Sequence, residues 1–228
     1  MLGKNVGRYF RLLALFCALG QGQPLYADEA LVEDFSQDAQ DKLPKNWKSK
    51  GKKPEDDYKI QSENGNLYLH ADSKSKDVWL GIDAEKLNGG KGIRPKEFPF
   101  ITWRWRVHTL PEGADEKIKA KQDSAASVYV IFPGLPPPKT VKYVWSAGQP
   151  EGTTLPSPYT SRTQMVVLRS GKAKLGEWIT EKVNYYEDYK KLFKEEPGKV
   201  RGVSILSDSD ATKSRSVADY DDIKFSTP

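Results

Sequence analysis

An all-β fold, an antiparallel two-sheet sandwich or jelly roll, is predicted by three features: period-two alternation, evenly spaced turn residues and very little helical periodicity. Nine segments alternate apolar and polar residues, at 66–71, 78–82, 101–108, 126–132, 141–145, 164–169, 178–183, 200–206 and 220–225. Successive side chains of an extended chain point to opposite faces, so this alternation marks strands with one buried side. Between them fall Asn64-Gly65, Asn88-Gly89-Gly90, Pro111-Glu112-Gly113, Ser170-Gly171, Leu175-Gly176 and Pro197-Gly198, residues that turns select for their backbone freedom or local hydrogen bonding. Many short strands punctuated in this way build two-sheet folds. One or two short helices are expected, the clearest at 186–193, where Tyr186, Tyr189, Leu192 and Phe193 share a face.

The first 27 residues read as a secretory signal peptide: a basic tip (Lys4, Arg8, Arg11), an apolar run from Leu12 to Leu19 and a small-residue exit at Leu25-Tyr26-Ala27. Its removal is expected to leave one β domain over 28–228, a periplasmic or secreted monomer beyond the reach of ATP and NAD pools. The run is shorter than the roughly 20 apolar residues that span a bilayer, and no later segment approaches that length. Cys17, the single cysteine, follows Phe16 inside the run, which does not suit a lipid-attachment site. A processed chain without cysteine has no thiol nucleophile, no Cys-ligated zinc and no disulfide, so its core must hold alone. Processing also lowers the charge from +5 to 33 basic against 31 acidic side chains. No block of one sign stands out, which argues against a nucleic-acid partner. The stretch from Pro133 to Pro138 lies between two strand segments and reads as a rigid surface loop.

The segment Trp103-Arg104-Trp105-Arg106-Val107 has two faces. Ile101, Trp103, Trp105 and Val107 share one, and Thr102, Arg104, Arg106 and His108 the other. The tryptophans are expected to be core, although a pair two residues apart also suits a platform for sugar rings. Arg104 and Arg106 form either a clamp for carboxylate, sulfate or phosphate or a set of ion pairs with neighbouring strands.

Over nearly the whole chain after residue 27, including VEDFS (32–36) and LPKNW (43–47), the sequence resembles a known family. WRWRV is followed by LPEGAD (110–115), QDSAASVYVIF (122–132), YVWS (143–146), SPYTSR (157–162), VVLRSG (166–171), GVSILSDSDAT (202–212) and YDDIKF (220–225). In this order the segments are similar to the exported bacterial family catalogued as domain of unknown function 3047. That family has no assigned activity, and its strand pattern is similar to carbohydrate-binding and lectin-like sandwiches, so the resemblance implies a fold rather than a reaction. The chain departs from the family's DDAA and DSDNT at Ser124 and Ala211.

His70 and His108 come with no nucleophile elbow and no zinc-binding spacing, so binding is preferred to catalysis. A polysaccharide lyase or jelly-roll glycoside hydrolase is the alternative, and an envelope protein-interaction module a further one. The expected ligand is a glycan with acidic groups, held by Arg104, Arg106, Asp123, Tyr129, Tyr143, Trp145 and Arg162. Acids cluster at Asp208, Asp210, Asp219, Asp221 and Asp222, with Glu33 and Asp34 at the expected opening of the first strand. They form turns and edge charges, or else a Ca²⁺ site in which Asp34 and Asp222 are the side-chain ligands.

Overall fold

The computed structural model describes residues 28–49 and 53–228; the signal-peptide reading lies outside them. Strands β1 (Glu29–Glu33), β2 (Tyr58–Glu63), β3 (Asn66–Lys74), β4 (Leu80–Asp83), β5 (Phe100–Thr109) and β6 (Ala126–Ile131) are followed by β7 (Thr140–Ser146), β8 (Thr154–Ser157), β9 (Thr160–Ser170) and β10 (Ile179–Asn184). Helix α1 (Tyr185–Phe193), β11 (Gly202–Leu206) and β12 (Arg215–Ser226) complete the order. Sheet A runs β10-β5-β12-β3-β2, with β1 also paired to β12, and sheet B runs β4-β11-β6-β7-β9-β8. Neighbours are antiparallel except β7 and β9, which are parallel.

Each of the nine alternating segments contains or overlaps a strand, and the structure adds β1, β2 and β8. In β2 the inward residues Tyr58 and Ile60 are separated by polar ones, a pattern that the charged flanks on both sides obscure. The four-residue β8 contains Pro156 and lies at the edge of its sheet, the position where a strand tolerates a missing N–H. Glu33 ends the first strand rather than opening it, and Asp34 follows the strand. Asn184 caps α1, accepting the Glu187 N–H at 3.0 Å, and Lys194, at φ 59, closes it in the left-handed region.

The sheets pack through aromatic rings. Trp103 and Trp105 of β5 are fully buried and meet edge to face, with centroids 5.3 Å apart. Trp103 packs on Tyr143 of β7 at 5.5 Å, and Trp105 on Trp145 at 5.9 Å. Tyr143 and Trp145 are therefore core residues, which corrects their assignment to a ligand groove: β7 alternates, and its odd positions Val141, Tyr143 and Trp145 face sheet A. Phe132, Tyr185, Tyr189 and Phe225 extend the ring stack beneath α1.

Candidate functional site

The outer face of sheet A carries the two arginines, but not as a free clamp. Register places Asp219 opposite both Arg106 and His70, and Asp221 opposite Arg104. Arg106 Nε donates to Asp219 at 2.8 Å and its Nη1 to Glu63 at 3.0 Å. Arg104 bonds Asp221 through Nη2 and meets Asp222 through Nε at 2.9 Å. The Trp178 ring lies against both guanidiniums, 4.7 and 4.6 Å from their carbons. Of the two sequence readings, ion pairing is the one this geometry follows.

Asp219 also receives His70 Nδ1 and His108 Nε2, each at 2.7 Å. Burial pushes its carboxyl upward, but the hydrogen bonds from His108 and His70 outweigh that and bring the pKa down to about 2. The two histidines share one acid and have no serine among their side-chain partners in the described residues.

Asp123 belongs to a buried polar nest beside the central strands β6, β7 and β11 of sheet B. Its carboxylate accepts the N–H groups of Ala211 and Thr212 at 3.1 and 2.7 Å and the Thr212 hydroxyl. Asp208 accepts the Ser124 N–H at 2.7 Å, and burial pushes its pKa up to about 7 against the opposing pull of Lys142. Glu116, also raised by burial, accepts the Ser146 hydroxyl at 2.7 Å. Lys142 reaches Ser124 Oγ at 3.3 Å; burial disfavours its charge, yet Tyr129 and Asp208 more than offset this and raise its pKa. Asp123, Asp208 and Asp210 each offer an oxygen, all within 4.8 Å of one another, a donor set of the hard-cation type. Ser124 and Ala211, where the chain departs from the expected pattern, both fall here. Asp34 and Asp222 do not join this group: Asp34 caps the Ser36 N–H and hydroxyl, and Asp222 pairs with Arg104.

A broad concavity lies elsewhere, on the outer face of sheet B. Its floor is made by Gly81, Ser204, Tyr129 and Thr140, from four neighbouring strands. One lobe, of about 260 Å³, is closed by Trp79, Ile131, Pro137, Pro138, Thr163 and Leu206. It continues through Trp79, Ile131, Pro138 and Ser204 into a wider lobe of about 830 Å³ that reaches Lys48, Asp83, Glu85 and Arg201. Trp79 is 42 % exposed. Gly81 keeps the floor low: a Cβ there would stand 2.7 Å from Ser204 Oγ. That hydroxyl is buried and, among the described residues, has no hydrogen-bond partner. Arg162 braces the wall from outside, its Nε donating to the Pro137 carbonyl.

The residues expected to form one groove are thus dispersed: Arg104 and Arg106 on the outer face of sheet A, Tyr143 and Trp145 in the core, and Asp123 in the nest. Tyr129 lines the groove and Arg162 supports its wall. Trp79 was the missed residue, and parity could have found it: in the alternating segment 78–82, Val78 and Leu80 are buried while Trp79 between them is not. Ser204 and the prolines carried no comparable signal.

Residues 45–224 match the family described as "Protein of unknown function (DUF3047)". The chain belongs to that family. The matched span holds both arginines, the nest and the groove. Among curated proteins none matches this chain. Among solved structures, the chain is similar to the family 11 carbohydrate-binding module of cellulosomal cellulase Lic26A-Cel5E of Clostridium thermocellum, with TM-score 0.44 and 10 % identity over 89 % of this chain and 96 % of that one. It is also similar to CBM28, a carbohydrate-binding module specific for non-crystalline cellulose, with TM-score 0.41 and 13 % identity over 86 % of this chain and 93 % of that one. A third likeness is to the family 11 xylanase of Neocallimastix patriciarum, with TM-score 0.37 and 12 % identity over 80 % and 96 % of the two chains. Likeness this distant concerns the outline of the fold and carries no ligand with it.

Proposed function

We propose that the protein binds a glycan in the groove on the outer face of sheet B, in the extracytoplasmic space of a bacterium. The observation that carries this reading is Trp79, 42 % exposed beside Tyr129 and the rings of Pro137 and Pro138. A sugar ring has C–H faces and hydroxyl edges. Indole and pyrrolidine rings supply flat apolar surface for the faces, and Thr140 and Thr163 supply hydroxyls for the edges. Two joined lobes suit several linked sugar units rather than one. Arg104 and Arg106 give no support to an acidic ligand, because Asp219, Asp221, Asp222 and Glu63 already neutralise them.

A glycan array on the purified protein, followed by calorimetry with the strongest binder, tests the reading. Trp79→Ala is expected to weaken binding at least about tenfold, or 1.4 kcal/mol, with the melting temperature unchanged. Undiminished binding by Trp79→Ala, or an array without any bound glycan, would overturn it.

A further inference from the structure

Beyond the wider lobe, and sharing Glu85 and Arg201 with it, lies a separate concavity of about 350 Å³. Its cations are Lys91, Lys199 and Arg201, against the single acid Glu85. Their backbone is anchored. Val200 pairs with Ile93 at 2.9 Å, Arg201 donates to the Ile131 carbonyl at 2.8 Å, and its own carbonyl accepts the Ala84 N–H at 3.0 Å. Val200 is fully buried, so the flanking Lys199 and Arg201 both project outward on the same side of the extended chain. Gly198 lets the opposite wall close in, since a Cβ there would meet Pro133 Cγ at 3.2 Å.

Arg94, Lys96 and Lys139 are each paired with an acid, Glu97, Glu196 and Glu195 respectively. Among the described residues the side chains of Lys91, Lys199 and Arg201 have no polar partner. Three cations against one acid around a single concavity leave a net positive potential focused into it, and a guanidinium fork suits the paired oxygens of a carboxylate or sulfate.

We infer that the ligand of the groove carries an anionic substituent, a carboxylate or sulfate ester, received by Lys91, Lys199 and Arg201 where the groove ends; this rests on the glycan reading. It restores an acidic ligand on residues other than the arginines of β5. The lobe beside Trp79 takes the sugar chain, and the cationic end selects which chain.

Amide NMR titrations at constant ionic strength test it, with sodium sulfate and glucuronate as anionic probes and glucose as the neutral one. The anions are expected to shift the amides of Lys91, Gly92, Lys199 and Arg201 saturably, and glucose is expected to leave them in place. Lys199→Ala/Arg201→Ala, at exposed positions, should melt like the wild type and raise the sulfate midpoint at least about tenfold. Shifts that are absent, not saturable, or unchanged in the double variant overturn the anion site. The Trp79 indole N–H reports separately on the groove, titrated with the strongest array ligand. If it responds while the cationic end stays silent, only the anion inference falls. Silence of Trp79 with a saturable sulfate response overturns the glycan reading, and with it the assignment of the anion to a glycan.

Discussion

Asp219 gathers Arg106, His70 and His108 on two oxygens while its own side chain is 1 % exposed. A carboxylate so placed is stable only as part of its network, because an unpaired buried charge is far more costly than the pair. Its folded pKa of about 2 lies below the usual aspartate value. The stabilisation is therefore complete above the unfolded pKa near 3.9 and is lost as pH falls through about 2. The shift corresponds to about 2 kcal/mol. Thermal unfolding of the wild type is expected to show a loss of this size between about pH 4 and 2, and Asp219→Asn is expected to melt lower at pH 7 and to lack that step. A variant whose acid profile matches the wild type would contradict the assignment. The alternation of WRWRV was legible as two faces, but nothing in it said that acids of β12 would stand opposite both arginines. Pairing across 113 and 117 positions is a property of register.

At the scale of elements, β5 and β7 hold the sheets together by placing Trp103 and Trp105 against Tyr143 and Trp145. Trp103→Ala or Trp105→Ala is expected to cost about 3–5 kcal/mol by denaturant unfolding, the range for a large ring removed from a packed core. Trp79→Ala, outside that core, should stay within about 0.5 kcal/mol of the wild type. Equal losses at all three positions would refute the division between core and groove. The tryptophans of β5 could be assigned to the core because Ile101 and Val107 share their parity. The same argument applies to Tyr143 and Trp145, whose parity matches Val141. Gly171, whose carbonyl accepts the Trp145 indole N–H at 3.2 Å, comes from a distant turn that covers the strand end after Trp145.

Taken whole, the described residues join their first strand to their last: Asp28 N–H donates to Thr227 Oγ1 at 2.9 Å, and the Asp28 carbonyl accepts the Thr227 N–H at 3.0 Å. β1 and β12 continue that pairing from Glu29 and Ser226. We propose that export removes the segment ending at Ala27, so that the processed chain begins immediately before its first strand. Mass spectrometry of the exported protein is expected to find Asp28 first, and recovery from membranes of a form that retains Leu12 to Leu19 would refute it.

The sequence by itself determined the all-β class, nine of the strand positions, the helix, the family and the two-faced character of β5. These follow from alternation, turn residues and ordered motifs, all local along the chain. Only the tertiary structure decided that the arginines are neutralised, that Asp123, Asp208 and Asp210 meet, that Tyr143 and Trp145 are inside, that Trp79 and Ser204 line a groove, and that Lys91, Lys199 and Arg201 surround a neighbouring concavity. Each of those outcomes depends on which strands lie side by side and in which register, and period-two alternation assigns a residue to a face without naming its neighbours across the sheet.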